Sequence, residues 1–593
     1  MNADFKNSTI SNSDLAFFVP QLKEYDITLG LSARIYGTLS NIKARDFDAV
    51  INDIGGIKGT LDIKGLPNID ETFLDLKLDP LYADMRALDA LLGSNTIPKN
   101  LLTLGNVNYI GRVTGFAYNL VAYGDINTDQ GGIYSDINFT YDPKIKLSSF
   151  SGNLNTTALN VGVIAGSPEM LGKVSMDANV HGSIASDNTA EFDVDASINS
   201  IEFNKYTYSN IDVDGELKNN SFKGNFAVDD PNIVMTFNGV VDFTDSLPVY
   251  NFKSTISRAN LMQLNFYDQP IVFSATASMN TKGSSIDDMV GSANFGDLLL
   301  IREKYIYRLD TLVINSNYIE NKKVIDVKST LINFNISGDY AITALPSAIK
   351  NMVGHYTTGK SDSLISVQKA EYTLTVKNAD RLMAIFYPDI QIVRNLTVSG
   401  NFNTGINEFN TRVRVDELEY KSMHFDTLLF EARTEGKALG FFARLNSTQI
   451  NEDTRIPIIR AEGTFARNEL NYNLKVGKDT DEDRINLNGA IKFEDSLMAF
   501  NILPSEIYFQ NEKWDIQPNN SLQYVNKNII ADNFTLNSGD KLISLTSSAD
   551  DKFNTVLKLK VTNIPIGELA EAYILPGEEV SGNLDASYCI GKL

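Results

Sequence analysis

Imidazole and thiol chemistry in this 593-residue chain rests on four side chains: His181, His355, His424 and Cys589. A histidine that works as a base or a metal ligand needs a partner close by. HExxH-type spacing supplies one by placing two imidazoles on one helical face. No such spacing occurs here. His181 alternates with Val180, and His424 sits between Met423 and Phe425, so both fall on the wet side of an alternating run. His355 also reads as a surface residue. Cys589 has no histidine near it in sequence, and a single thiol cannot build an intrachain disulfide. No GxSxG elbow or helix-opening GxGxxG is present. One string does resemble a calcium loop, Asn210-Ile211-Asp212-Val213-Asp214-Gly215. Its twelfth position is Ser221, where calcium needs a bidentate Glu, and its acids alternate with Ile and Val as strand residues do. The sequence therefore predicts no catalytic residues, no metal site and no cofactor.

The patterning around that string is more informative. Phe192, Val194, Ala196 and Ile198 alternate with Asp193, Asp195 and Ser197. The next run sets Ile211, Val213 and Leu217 against Asp212, Asp214, Glu216 and Lys218, and then come Phe222, Phe226 and Val228. After Asp229-Asp230-Pro231 follow Ile233, Met235, Phe237, Val241 and Phe243, while Val174 and Met176 start the same face upstream. A period of two marks strands with one apolar and one wet face. The pattern restarts for nearly the whole chain, far beyond the ~250 residues in which a compact sandwich exhausts it.

Composition agrees. Hydrophobic residues make up 43%, and the aromatics are almost all Tyr (25) and Phe (32), with one Trp, a bias toward strands. The net charge of −22 repels nucleic acid and anionic headgroups, so no nucleic-acid partner is expected. No apolar run reaches the 18 residues of a helical membrane span. Met1 is not followed by a signal-peptide pattern, and both ends read as interruptions, as in a central piece of a longer protein.

A second pattern punctuates the first: a strand, a short helical segment, then a strand built around Gly. It occurs at Leu74–Pro80, Leu81–Leu92 and Val107–Val113, and again at Phe252–Ile256, Ala259–Met262 and Ile271–Met279. It returns at Tyr372–Val376, Asn378–Phe386 and Ile392–Phe402, then at Leu557–Val561, Ile564–Ile574 and Val580–Tyr588, with a degenerate copy at Leu154–Leu171. These marks suggest sub-repeats 1–105, 106–270, 271–400 and 401–593 of a single body spanning 1–593. About 40 hairpin-linked strands at ~4.8 Å each would make a ribbon on the order of 190 Å long, which must curl to hide its apolar face. The predicted fold class is mostly β: an elongated, curled antiparallel β-groove with a few short helices. Small residues on the inner face (Ala178, Gly182, Ala196, Gly215, Gly224, Gly239) either leave room along the trough or mark strand bends, and the sequence leaves both open.

The strand–short-helix–Gly-strand units, such as Glu371 to Gly400 and Lys558 to Gly582, carry a family resemblance. So do the meander from Tyr206 to Leu217, its continuation from Val228 to Phe243, and the opening Phe5-Lys-Asn-Ser-Thr-Ile. Together they resemble the AsmA-like superfamily and, within it, the TamB translocation and assembly module proteins, in the long form of Bacteroidota. The resemblance implies a periplasmic β-groove bridging inner and outer membranes. It implies phospholipid acyl chains in the groove, inner-membrane anchoring, and an outer-membrane barrel assembly partner, the last two through regions outside this sequence. Val174, Met176, Phe192, Val194, Ile211, Val213, Leu217, Phe222, Phe226, Val228, Ile233, Met235, Phe237, Val241 and Phe243 would line the lipid path. Two other functions fit the same pattern: an assembly factor binding nascent outer-membrane β-barrel or autotransporter chains, and an envelope spacer with a filled core.

Overall fold

A computed structural model describes residues 2–15, 27–38, 40–52, 54–93, 97–187, 189–357, 366–449, 455–478, 481, 484–494, 497–509, 511–525, 528–550, 554–565 and 582–590. Strands account for 71% and helices for 8%, in antiparallel sheet that does not close on itself, so the mostly-β expectation holds. Tight turns enforce the meander. Asn204-Lys205, Glu320-Asn321 and Arg467-Asn468 are two-residue loops with both φ angles positive, the backbone that matches strand twist.

The chain divides into two compact units, Met1–Ser284 with Phe295–Glu303, and Ser285–Asn294 with Lys304–Leu593. The expected sub-repeat boundary at 400 falls inside a strand, Ile390–Asn403.

In the first unit every strand from Asn2–Ser11 to Val272–Lys282 pairs antiparallel with its sequence neighbours. Short helices interrupt it at Met85–Leu92 and Val161–Ala165. The Met85–Leu92 helix starts where the Asp84 carboxylate accepts the Arg86 and Ala87 N–H groups at 2.9 and 3.0 Å. The expected helix over Leu81–Leu92 thus begins four residues later, because Leu81–Asp84 still pairs as strand. Ala259–Met262 is not helical either: the strand runs to Asn260, and a turn follows from Leu261 to Phe266.

The second unit repeats the sequential pairing from Tyr305–Ile319 to Arg484–Glu494. It carries the helix Asp380–Phe386, close to the expected Asn378–Phe386, and a longer one, Leu345–Thr357, which the sequence reading missed. Of the expected Ile564–Ile574 helix, Ile564 and Pro565 end the strand Asn554–Pro565, and the rest lies outside the described residues. After Glu494 successive strands bend in mid-length. One bend is organised by Asn520, only 1% exposed. Its side-chain amide accepts the Ile502 N–H and donates to the Ile502 carbonyl, each at 2.8 Å, supplying the pairing that a regular strand would give there.

Candidate functional site

The strands Leu171–Ile184, Ala190–Phe203, Tyr206–Lys218, Ser221–Asp230 and Ile233–Asp242 lie side by side in the first unit. Residues directly opposite in register share a face. Met176, Ile198, Ile211, Val228, Met235 and Ile256 form one such row across six strands. Ala178, Ala196, Val213, Phe226 and Phe237 form the next. Val180 and Val194 lead into Gly215, Gly224 and Gly239, and Phe192, Leu217, Phe222 and Val241 make a fourth row. Val174 and Ile201 open a fifth, which Tyr208 continues toward Ile233. The residues expected to line one face therefore do so, except that Phe243 lies one residue beyond its strand, half exposed beside Tyr250. Leu217 keeps its place in register but is 41% exposed at the hairpin rim.

No protein-family model and no curated protein matches this chain. The chemistry of the face must be read from the face itself.

Most of its lining is half-buried, with Val174, Val228, Ile233 and Phe237 fully buried. Rings run along it. Phe139 meets Phe150 at 5.2 Å, and Phe150 meets Phe192 at 6.5 Å. Phe226 stacks on Phe237 at 4.6 Å, and Phe252 follows at 5.0 Å. The glycines are not gaps between these rings. A Cβ on Gly215 would lie 2.8 Å from the Phe222 ring, one on Gly182 2.5 Å from the Phe192 ring, and one on Gly224 2.5 Å from the Gly215 Cα. They are places where neighbouring backbone or an aromatic ring comes too close for a side chain, which decides the question the sequence left open. The same device recurs where Tyr82 faces Gly56, Tyr372 faces Gly400, Phe441 faces Gly463 and Tyr472 faces Gly489.

The opposite face is polar. Asn179, Asp195, Asp214, Asn225 and Asn238 stand in one cross-strand row. Two concavities, of about 410 and 640 Å³, open on this side among those carboxylates and amides. The calcium-like string Asn210–Gly215 lies within the strand Tyr206–Lys218, where the Asp212 carboxylate accepts the Ser197 hydroxyl at 2.8 Å. Among the described residues no group of three His, Cys, Asp or Glu side chains is placed to hold a metal ion. His181 and His355 are exposed, His424 lies 3.2 Å from Asp426, and Cys589 pairs in register with Lys558.

One charge is sealed into the end of the apolar face. Asp230 is 2% exposed. Its carboxylate accepts the Tyr206 hydroxyl at 2.6 Å, the Ser209 N–H at 3.0 Å and hydroxyl at 2.8 Å, and the Asn232 N–H at 2.8 Å. Burial pushes its pKa up, but these bonds outweigh it and hold the carboxyl below its ordinary value. The group fixes the turn between two lining strands.

The face also extends beyond the expected residues. Ile133, Ile137 and Phe139 continue it on one side, and Phe252, Ile256 and Phe273 on the other. Their signal was the same alternation, read in the flanking strands.

Proposed function

We propose that this face is the trough of a non-enzymatic envelope protein that carries phospholipid between inner and outer membranes, as in the TamB-like proteins the sequence resembles. The observation that supports it is the cross-strand register, which keeps the apolar rows aligned past the shifts at Ser175/Met176 and Val234/Met235. Apolar side chains meet apolar side chains from strand to strand, so an acyl chain lying across the strands stays on hydrocarbon throughout. The half-buried state of the lining fits a surface that still has apolar area to give. The polar face, rich in Asp and Asn, keeps the opposite side in water. Periplasmic location, inner-membrane attachment and a barrel partner in outer-membrane biogenesis belong to the same proposal and rest on the resemblance.

A filled-core spacer is the second reading, favoured by the ring ladder and by glycines that leave no hollow. Photo-crosslinking separates the two. Met235 faces the trough and Thr236 the opposite side. A crosslinker at Met235 is expected to capture phospholipid, and one at Thr236 none. Equal capture at both, or none from a folded protein, refutes the conduit. Adducts with unfolded barrel segments instead would identify a chain-binding assembly factor.

A further inference from the structure

The second unit treats its apolar face differently from the first. The helix Leu345–Thr357 lies against it, with Ala348, Met352 and Tyr356 only 2%, 1% and 3% exposed. Met352 packs with Ile325, Ile336, Ala370 and Phe402. One turn on, Tyr356 packs with Ala432 and Leu439, against Phe430 and Phe465. From Ile325 to Phe465 the sheet runs through eight strands, Lys322–Ser329 to Ile459–Ala466. That is roughly 34 Å along the sheet at ~4.8 Å per strand. A helix of 13 residues is only ~20 Å long. Clusters that hold Met352 and Tyr356 reach both ends of that arc, which places the helix as a chord inside a curled sheet.

Among the described residues, polar contacts tie the helix at both ends. Just before it, the Asp287 carboxylate accepts the Thr343 N–H at 3.0 Å and the Thr343 hydroxyl. The buried Lys323 ammonium holds that Asp287 segment by donating to the Ile286 and Asp287 carbonyls at 3.0 and 2.5 Å. At the far end the Tyr356 hydroxyl donates to the Asn407 carbonyl and lies 3.3 Å from the Thr434 hydroxyl. Between the ties Met352 packs among apolar side chains, a contact that an acyl chain can also make. Ile349, on the helix, stays 37% exposed.

We propose that the floor beneath this helix is a second acyl-chain site, and that the helix is its built-in occupant, which a lipid must displace. The proposal rests on the lipid reading of the first unit, and its test keeps the two apart. Tyr372 packs against the covered cluster, so a crosslinker there reports the floor, while one at Met235 reports the first unit. The full chain is incubated with vesicles of phosphatidylethanolamine and phosphatidylglycerol. The intact protein should give little lipid adduct at Tyr372. Met352→Asp on the helix, or Asp287→Asn with Tyr356→Phe at the ties, should raise it several-fold and leave capture at Met235 unchanged. Equal capture at Tyr372 with and without the substitutions overturns the proposal. So does capture at Met235 with none at Tyr372 in any variant, which leaves the first-unit reading standing. If Met235 captures nothing, that reading fails, and the second site is decided by Tyr372 alone. Hydrogen exchange on the unaltered protein gives a test free of folding artefacts. Amides of Leu345–Thr357 should exchange well ahead of those in Ile332–Asp339 and Lys369–Asn378, and exchange in step with those strands overturns the displaceable helix.

Discussion

Replacing Phe237 by Ala tests whether the ring ladder holds the apolar face together. Phe237 is 7% exposed, stacked on Phe226 at 4.6 Å, and within 5.0 Å of Phe252 and 6.2 Å of Phe222. Truncating a buried Phe costs about 3–5 kcal/mol, of which each ring pair supplies ~0.5–1.5 kcal/mol. The neighbouring rings stand on an open sheet face and can lean into the space, so the lower end, about 3 kcal/mol, is expected. That corresponds to roughly a hundredfold rise in the local opening equilibrium. Hydrogen exchange of the strands Ser221–Asp230, Ile233–Asp242 and Val249–Asn260 reads it directly. Thr236→Val, one residue away on the exposed face, should stay within ~0.5 kcal/mol. If Phe237→Ala changes exchange no more than Thr236→Val does, the rings are not packed as described and the single-face reading fails.

Acid should act through Asp230. Its folded pKa lies below the unfolded value, so its contribution is present above about pH 4 and is lost as pH falls through the folded pKa. Asp230→Asn should flatten the acid limb of an unfolding curve monitored at the Tyr206–Asn232 turn, and an unchanged limb would exclude the role. Gly224→Ala places a Cβ 2.5 Å from the Gly215 Cα and should destabilise by ~1–3 kcal/mol in chemical denaturation. Gly436→Asn, at φ 63 with no atom within 4 Å of the new Cβ, should be nearly silent in the same measurement. Asn520→Ala removes the amide that pairs with Ile502 and should cost ~1–3 kcal/mol, read as faster exchange at the Ile502 N–H.

Strand identity and facing were legible because period-two alternation survives any register. Phe192 to Phe237 kept the face that their parity assigned. Parity does not report distance from the rim, which is why Leu217 shares the face yet is exposed. The glycines were ambiguous for a related reason. Whether Gly224 leaves space or admits a neighbour depends on Gly215 and Gly239 standing opposite it, and pairing register is not written in a single strand. The Leu345–Thr357 helix was missed because its buried positions, Ala348, Met352 and Tyr356, are interspersed with Pro346, Ser347, Gly354 and His355. That is a weak helical stripe in a strand-rich chain. Leu81–Asp84 misled in the opposite way. Its apolar residues suit a helix, but the neighbouring strands Gly55–Lys64 and Asn106–Phe116 claim its backbone.

Nearest-neighbour pairing from Asn2–Ser11 to Val272–Lys282 also shapes how such a chain can be made. Each strand needs only the one before it, so the sheet can grow in the order in which residues emerge from a ribosome or a secretion channel. No early segment has to wait for a distant partner. Such low contact order favours rapid assembly despite the all-β content. It also makes the architecture tolerant of length change. Removing one complete hairpin rejoins two antiparallel strands with their apolar faces still aligned, whereas removing a single strand inverts the direction of every strand that follows.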